Sequence, residues 1–93
     1  LSPPPPPPIA PYYTQTQSTC VTDFTEQHCR TLAANEGRPY YTNVVNNAVY
    51  GCSHYPNSGN HMQIFNTKTD STVSCDSQYA ALGAVCICEW SFG

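Results

Sequence analysis

Charged side chains are scarce in this chain of 93 residues, and basic ones are the scarcest. Three Lys and Arg residues oppose six Asp and Glu residues, which gives a formal net charge of −3 at pH 7. The basic residues Arg30, Arg38 and Lys68 do not adjoin one another in sequence. No basic stripe is therefore available to neutralise phosphates, and we predict that the protein binds neither nucleic acid nor anionic membranes.

The chain also lacks any apolar run of about 18 residues, so we predict no membrane insertion. It has no initiator Met and no basic segment followed by an apolar stretch, and we expect that any secretion signal has been removed. No Asn-x-Ser/Thr acceptor occurs, because Asn57 precedes Ser58-Gly59 and Asn66 precedes Thr67-Lys68. Any attached sugar is therefore expected to be O-linked.

Metal-binding motifs are missing as well. His28 next to Cys29, together with His54 and His61, brings imidazoles and thiols into one small chain. However, no Cys-x-x-Cys pair and no zinc-finger spacing is present, and disulfide formation would consume the thiols. The sequence therefore predicts no metal and no cofactor.

Catalytic motifs are equally absent. There is no Gly-x-Ser-x-Gly elbow and no Gly-rich phosphate loop. A Ser-His-Asp set could be drawn from Ser53, His54 and either Asp70 or Asp76, but only by choosing the residues freely. His28 and Cys29 are adjacent on a predicted helix, where neighbouring side chains point about a hundred degrees apart. We predict that the protein is not an enzyme.

Cysteine, in contrast, is abundant. An even number of cysteines in a short, lysine-poor chain is typical of a disulfide scaffold from an oxidising compartment. A core of about 75 residues gains only marginal stability from burial, so such bonds are expected. We predict an extracellular protein, secreted or on the cell surface. All six cysteines are predicted to be oxidised: Cys20, Cys29, Cys52, Cys75, Cys86 and Cys88.

The spacing of the last two cysteines suggests a pairing. In Cys86-Ile87-Cys88 the two thiols lie on the same face of a strand, where both can reach partners from the helix and the N-terminal edge. The preferred connectivity joins Cys52 to Cys75 and divides Cys20 and Cys29 between Cys86 and Cys88. It is one of many connectivities that six cysteines allow.

Residues 20–93 are predicted to form one α+β domain. Asp23 with Glu26 resembles a capping box, and Gly37 followed by Pro39 is a standard stop, which predicts a helix from Asp23 to Glu36. Its core-facing side would carry Cys29, Leu32, Ala33 and Glu36. Four strands are expected to form an antiparallel sheet against this helix, with Asn46-Asn47 as a turn between the first two. They are Tyr40–Val45, Ala48–Cys52, Met62–Thr67 and Ala84–Trp90.

Residues 1–19 are predicted to be an arm and connector outside that domain. Six consecutive prolines lock φ and remove amide donors, so they form a polyproline II rod that cannot join a sheet or helix. The rod is expected to run to Pro11 and to bury almost nothing against its own domain. A polar, extended connector without a core pattern follows. The prolines assigned to intermolecular packing are Pro3, Pro4, Pro5, Pro6, Pro7 and Pro8.

Tyrosine is the residue type that suits such a rod as a partner. Ring faces pack on pyrrolidine edges, and a preformed rod loses little entropy on docking. Seven tyrosines and one tryptophan are many for a domain of this size. In the alternative interpretation, Tyr40, Tyr50 and Trp90 fill the core while Tyr55 and Tyr79 lie on loops, and a third possibility is that these rings stack on sugars. The tyrosines expected to contact prolines of neighbouring copies are Tyr12, Tyr13, Tyr40, Tyr41 and Tyr55.

The segment from Ser2 through Pro8 resembles the Ser-Pro modules of hydroxyproline-rich glycoproteins of plants and green algae, the extensin and pherophorin-like wall proteins. The domain, with Gly51-Cys52, Phe65-Asn66-Thr67 and Cys86-Ile87-Cys88, is similar to small secreted domains of algae and other protists. The resemblance implies hydroxylated prolines that carry O-linked glycan. The candidate sites are Ser2, Pro3, Pro4, Pro5, Pro6, Pro7, Pro8, Thr14, Thr16, Ser18 and Thr19.

These patterns together predict a structural subunit of an extracellular filament, sheath or wall. Other copies of the chain and O-linked glycan are the expected partners, with the arm of one copy lying along others. A secreted carbohydrate- or protein-binding module with a proline-rich stalk is the competing interpretation. A toxin or protease-inhibitor scaffold ranks third, because basic residues are so few.

Overall fold

One α-helix packs on a five-stranded sheet in the computed structural model, which describes residues 3–4, 9–75 and 83–90. The sheet has the order β1-β5-β3-β4-β2, and the predicted α+β class is confirmed. None of the helical structure in these ranges has the length and hydropathy of a membrane span. The elements are β1 (Tyr12–Gln15), α1 (Glu26–Glu36), β2 (Tyr40–Asn43), β3 (Gly51–His54), β4 (Gln63–Asn66) and β5 (Val85–Glu89).

The helix begins later than its sequence pattern predicts. Thr25 is the N-cap, and its hydroxyl accepts a hydrogen bond from the backbone N–H of His28 at 3.2 Å. Asp23 instead forms a bridge with Cys88 of the sheet, so the predicted start and capping box at Asp23 are wrong. The end is as predicted: Gly37 adopts a left-handed conformation with φ of 69°, which glycine reaches without strain.

The predicted connector contributes an edge strand. β1 pairs antiparallel with β5, so Tyr13 lies opposite Cys88 and Gln15 opposite Cys86. The alternation of half-buried and exposed residues along β1 is that of a strand with one covered face. Residues 12–15 therefore belong to the sheet of the domain, and the expectation of a connector without a core pattern is wrong.

The other edge strand, β2, runs parallel to β4, whereas the sequence predicts an entirely antiparallel sheet. The cause is the chain between β2 and β3, which crosses the sheet instead of turning back at Asn46-Asn47. The buried Asn66 amide nitrogen donates to the carbonyls of Val45, Ala48 and Val49 at 3.0 to 3.2 Å. This side chain holds the crossing segment, so β3 starts at Gly51 and pairs with β4 and β5.

The sheet separates two apolar clusters. The helix-side cluster contains Phe24, Cys29, Leu32, Cys52, Phe65 and Ile87. The rear cluster, on the opposite face, contains Val49, Cys75, Cys86 and Cys88, with Tyr13 and Cys20 packed against it. Alternation along β5 explains the division, because Ile87 points to one face while Cys86 and Cys88 point to the other.

All six cysteines form disulfides, as predicted, but the pairing differs. Cys20 binds Cys88, which is within the predicted set. The prediction of a bond between Cys52 and Cys75 is wrong, because Cys29 of the helix binds Cys52 of β3. The remaining bond therefore joins Cys75 to Cys86, so Cys29 reaches neither cysteine of β5. Cys52 faces the helix and Cys75 faces the rear, and the intervening sheet keeps them apart.

Candidate functional site

The base of the proline arm is fixed on its own domain. Ile9 and Ala10 are half-buried and pack against the helix-side cluster. At the next residue of the arm, the carbonyl of Pro11 accepts a hydrogen bond from the backbone N–H of Trp90 at 2.9 Å. The expectation that the rod, taken to Pro11, buries almost nothing against its own domain is therefore wrong at its C-terminal end.

The outer part of the arm carries the residues assigned to packing and to O-glycosylation. Pro3 and Pro4 are exposed, whereas Ser2 and residues 5–8 lie outside the described residues. The hydroxyl residues that follow β1 or point outward from it are open to solvent, so a glycan could be attached without disturbing the core. These exposed candidates are Thr14, Thr16, Ser18 and Thr19.

Two aromatic rings stack on the rear face beside the base of the arm. The ring centroids of Tyr13 and Trp90 are 4.5 Å apart with an interplanar angle of 43°. Trp90 is 51% exposed, so the expectation that it fills the core is wrong. Trp90 follows Cys86 and Cys88 on the rear side of β5, which places it against Tyr13. We call Tyr13 and Trp90 the rear aromatic pair.

Tyr12 lies on the other face of β1. Its ring centroid is 5.6 Å from that of Phe24, and the residue is 39% exposed. Tyr12 therefore covers the edge of the helix-side cluster close to Ile9 and Ala10, which pack on that same cluster. Tyr12 and Tyr13 are thus separated by the sheet and cannot contribute to one groove.

The remaining candidate tyrosines are not brought together with the rear aromatic pair. Tyr55 is only 2% exposed, so its predicted contact with neighbouring copies is wrong. Tyr40 is half-buried on β2 beneath the guanidinium of Arg30, 5.7 Å from the ring centroid, and burial raises the pKa of its hydroxyl. Tyr41, 49% exposed on the same edge strand, is the one of these three that a neighbour could reach freely.

A second feature is a groove around Asp23. A depression of about 420 Å³ runs from the start of α1 to β4 and contains Thr67 and Thr69. A smaller one of about 160 Å³ adjoins it, and Asp23 and Tyr50 line both. We call the two together the Asp23 groove. Its other walls include the ring of Phe65, which meets Tyr50 edge-on at 5.7 Å between centroids.

The chemistry of the Asp23 groove suits uncharged polar molecules. Asp23, Glu26 and the threonines line the groove beside aromatic rings, and no basic side chain is among the described lining residues. The Glu26 carboxylate already pairs with Arg30 at 2.7 Å. Burial raises the pKa of the Asp23 carboxyl. Asp23 does not cap the helix as predicted, so its side chain is free to contact a molecule in the groove.

Two histidines meet at the end of the β3–β4 loop. The ring centroids of His54 and His61 are 6.4 Å apart. Burial, with smaller contributions from the charges of Arg38 and His61, lowers the pKa of His54 below its ordinary value of 6.5. Its Nε2 atom is buried and has no hydrogen-bond partner among the described residues. The folded protein therefore favours the neutral form of His54 more than the unfolded chain does.

The structure does not assemble the other residues considered for chemistry. Ser53 and His54 are neighbours on β3 and so point to opposite faces, while Asp70 is exposed and pairs with Lys68 at 3.1 Å. Asp76 lies outside the described residues. In the described part of the chain, no three His, Cys, Asp or Glu side chains are arranged to hold a metal ion.

The features that stand out are therefore the anchored arm, the rear aromatic pair and the Asp23 groove. The arm is predicted from the sequence, and Trp90 of the rear aromatic pair is more exposed than expected. The Asp23 groove has no signal in the sequence, because it is formed by chain segments that are distant from one another. No protein-family model, curated protein or solved structure matches this chain.

Proposed function

We propose that this protein is a non-catalytic structural subunit of an extracellular filament, sheath or wall, in which the proline arm makes the contact between copies. The observation that carries the proposal is the fixed base of the arm. Ile9, Ala10 and Pro11 are held on the domain, while Pro3 and Pro4 are exposed.

A rod with a fixed base is well suited to join two copies. Residues 3–8 span about 19 Å in the polyproline II conformation. Because consecutive prolines restrict φ before any contact forms, a proline rod loses little entropy when a second surface binds it. The arm and the surface that receives it are different parts of the chain, so each contact leaves a free arm and a free surface, and the chain of copies can grow.

The disulfides and the polar surface support an extracellular site. Three disulfides in a chain of this size are typical of oxidising compartments. With charged residues only 10% of the chain, attached sugar would help to keep the surface hydrated. We therefore include O-linked glycan on the arm and the residues after it in the proposal.

Sedimentation and electron microscopy of the full chain test the assembly role. We expect uniform fibres whose mass rises with protein concentration. A variant with Pro5, Pro6, Pro7 and Pro8 replaced by Ser keeps the chain length but loses the rod, and it should remain monomeric. The matched control Thr16→Ser/Gln17→Ser changes exposed residues nearby and should assemble normally. A monodisperse full chain at all concentrations contradicts the proposal.

Intact mass of the native protein tests the glycan. The bare chain has a mass of 10.2 kDa. We expect a larger mass, with the excess confined to peptides from residues 1–19 after digestion. An unmodified peptide map over that range would remove glycan from the proposal and leave the assembly role to the protein surfaces alone.

A secreted binding module is the second candidate, and the Asp23 groove is the observation that favours it. Carboxylates beside aromatic rings accept sugar hydroxyls while a ring packs on the sugar face. If the groove binds a neutral sugar, Asp23→Asn and Tyr50→Ala should each abolish retention on a glycan array. Asp70→Asn, at an exposed aspartate outside the groove, should retain it. Retention that is the same in all variants excludes this site.

A further inference from the structure

We propose that the rear aromatic pair, Tyr13 with Trp90, is the surface that receives the proline arm of a second copy. This inference rests on the proposed assembly function and names its contact surface. The two rings are close enough to form a platform, with centroids 4.5 Å apart, and Trp90 is 51% exposed. An exposed tryptophan supported by a second ring is the kind of surface on which polyproline rods dock.

The backbone around the pair is firmly held. Tyr13 pairs with Cys88 in the β1–β5 ladder, and Cys88 is bonded to Cys20. The N–H of Trp90 donates to the carbonyl of Pro11, which ties the end of β5 to the start of β1. A platform held in place before binding loses little further freedom when a ligand arrives, which favours affinity.

The chemistry of the pair matches a proline rod. Pyrrolidine rings offer C–H edges to the two ring faces, and the rod carries carbonyl acceptors without amide donors. The hydroxyl of Tyr13 and the indole N–H of Trp90 are donors that can reach such carbonyls. The occupant is uncharged, as is the pair itself, so the contact should depend little on salt.

The base of the arm and the rear aromatic pair pack on opposite faces of the sheet. Ile9 and Ala10 pack on the helix-side cluster, whereas Tyr13 packs on the rear cluster across the sheet. To reach its own Trp90, the rod would have to pass around β1 and reverse its direction, and consecutive prolines resist such a bend because φ is locked. The arm of another copy has no such constraint, and so the geometry favours an intermolecular contact.

Trp90 is the only tryptophan of the chain and provides the readout. A synthetic peptide of residues 1–9 with unmodified prolines is titrated into the full chain at a concentration where the protein is dilute. We expect a saturable blue shift of Trp90 emission as the indole is covered. A peptide with every proline replaced by Ser should give no shift.

Variants locate the contact. Tyr13→Ala should weaken peptide binding by roughly five- to tenfold, because one wall of the platform is removed. Tyr41→Ala removes an exposed tyrosine from the opposite edge of the sheet and should leave the affinity unchanged. Trp90→Ala, followed by calorimetry instead of fluorescence, should lose binding. Circular dichroism of each variant establishes that it is folded.

The outcomes separate this surface from the assembly function. If copies associate while Trp90 emission stays constant, and Tyr13→Ala associates as the parent chain does, the receiving surface is elsewhere and the assembly role stands. If the peptide binds at Trp90 but the full chain remains monomeric, the surface is correct and the assembly role fails. Equal peptide affinity in Tyr13→Ala, Tyr41→Ala and the parent chain overturns the inference.

Discussion

At the scale of single residues, two buried amides join segments of this domain that are distant in sequence. Gln63 donates to the Cys29 carbonyl at 2.6 Å and accepts from Arg38 at 2.9 Å, which joins helix to sheet. Asn66 does the same for the crossing segment on the rear face. Both amides are at most 2% exposed, so each hydrogen bond replaces water that is not available there.

Replacement of Asn66 by Ala should therefore destabilise the protein strongly. The bonds from the Asn66 amide nitrogen to the carbonyls of Val45, Ala48 and Val49 would be lost. The backbone N–H groups of Val45 and Lys68 would also lose the Asn66 oxygen that accepts from them. We expect a loss of about 3 kcal/mol in the free energy of unfolding, measured by chemical denaturation. Asn46→Ala, at an exposed asparagine of the same segment, should change it by less than about 0.5 kcal/mol. Equal effects would show that Asn66 does not hold this segment.

His54 should make the protein less stable in acid. Its pKa is lowered in the folded state, so the unfolded chain binds the proton more readily. The stabilisation that neutral His54 contributes is fully present above its ordinary pKa of 6.5. It is lost as the pH falls from that value towards the lower pKa of the folded state. In denaturation curves recorded from pH 8 to pH 4, His54→Gln should show a smaller loss over that window.

His28→Gln is the control for this titration, because His28 lies on the helix 3.8 Å from Glu89 and away from the β3–β4 loop. That variant should keep the acid loss assigned to His54. An unchanged pH profile in His54→Gln would mean that other groups cause the loss.

At the same scale, sequence patterns identify the buried helix positions but not every aromatic environment. Cys29, Leu32 and Ala33 are buried as their helical spacing predicts, whereas Glu36, assigned to the same side, is exposed. The loop residue Tyr55 is buried and the strand-end residue Trp90 is exposed, which is the reverse of what their positions predict. Burial of a loop or strand-end side chain depends on which distant segment covers it, and local spacing carries no such information.

At the scale of elements, the end of the helix and the strand-forming segments after it follow from sequence, whereas the pairing of strands does not. Gly37 and Pro39 stop the helix through their own backbone preferences. The parallel pairing of β2 with β4 depends instead on Asn66 in a later strand. Residues 12–15 likewise form an edge strand that their polar composition does not indicate, because a strand at the edge needs apolar residues on only one face.

The disulfides act at this scale, and their loop lengths predict the order of their contributions. Cys20–Cys88 spans 68 residues, Cys29–Cys52 spans 23 and Cys75–Cys86 spans 11. The first stays the longest loop even after the other two bridges shorten it. Replacing both cysteines of Cys20–Cys88 by Ala should lower the free energy of unfolding by about 4 kcal/mol, the largest of the three losses. The same replacement at Cys29–Cys52 or Cys75–Cys86 should lower it by about 3 kcal/mol. Denaturation curves at neutral pH measure the order, and the reverse order would contradict it.

At the scale of the whole molecule, two modes of association compete. Both edges of the sheet are strands that could pair with another copy, and exposed edges are known templates for such pairing. A proline rod cannot add to an edge, because it has no amide donors to pair with. Association through the arm and association through the edges therefore respond to different substitutions.

Thr42→Pro separates the two modes. The amides of Gln63 in β4 and of Thr67 just after it donate to the carbonyls of Pro39 and Asn43. The odd-numbered residues of β2 therefore direct their backbone groups to β4, and Thr42 directs its amide outward. Proline at that position removes an outward donor but no internal hydrogen bond, and edge strands tolerate it. If the arm joins the copies, the variant should form fibres of unchanged geometry in electron microscopy. Fibres that disappear in Thr42→Pro but persist when the arm prolines are replaced by Ser would place the contact at the sheet edge, with the arm as a surface appendage.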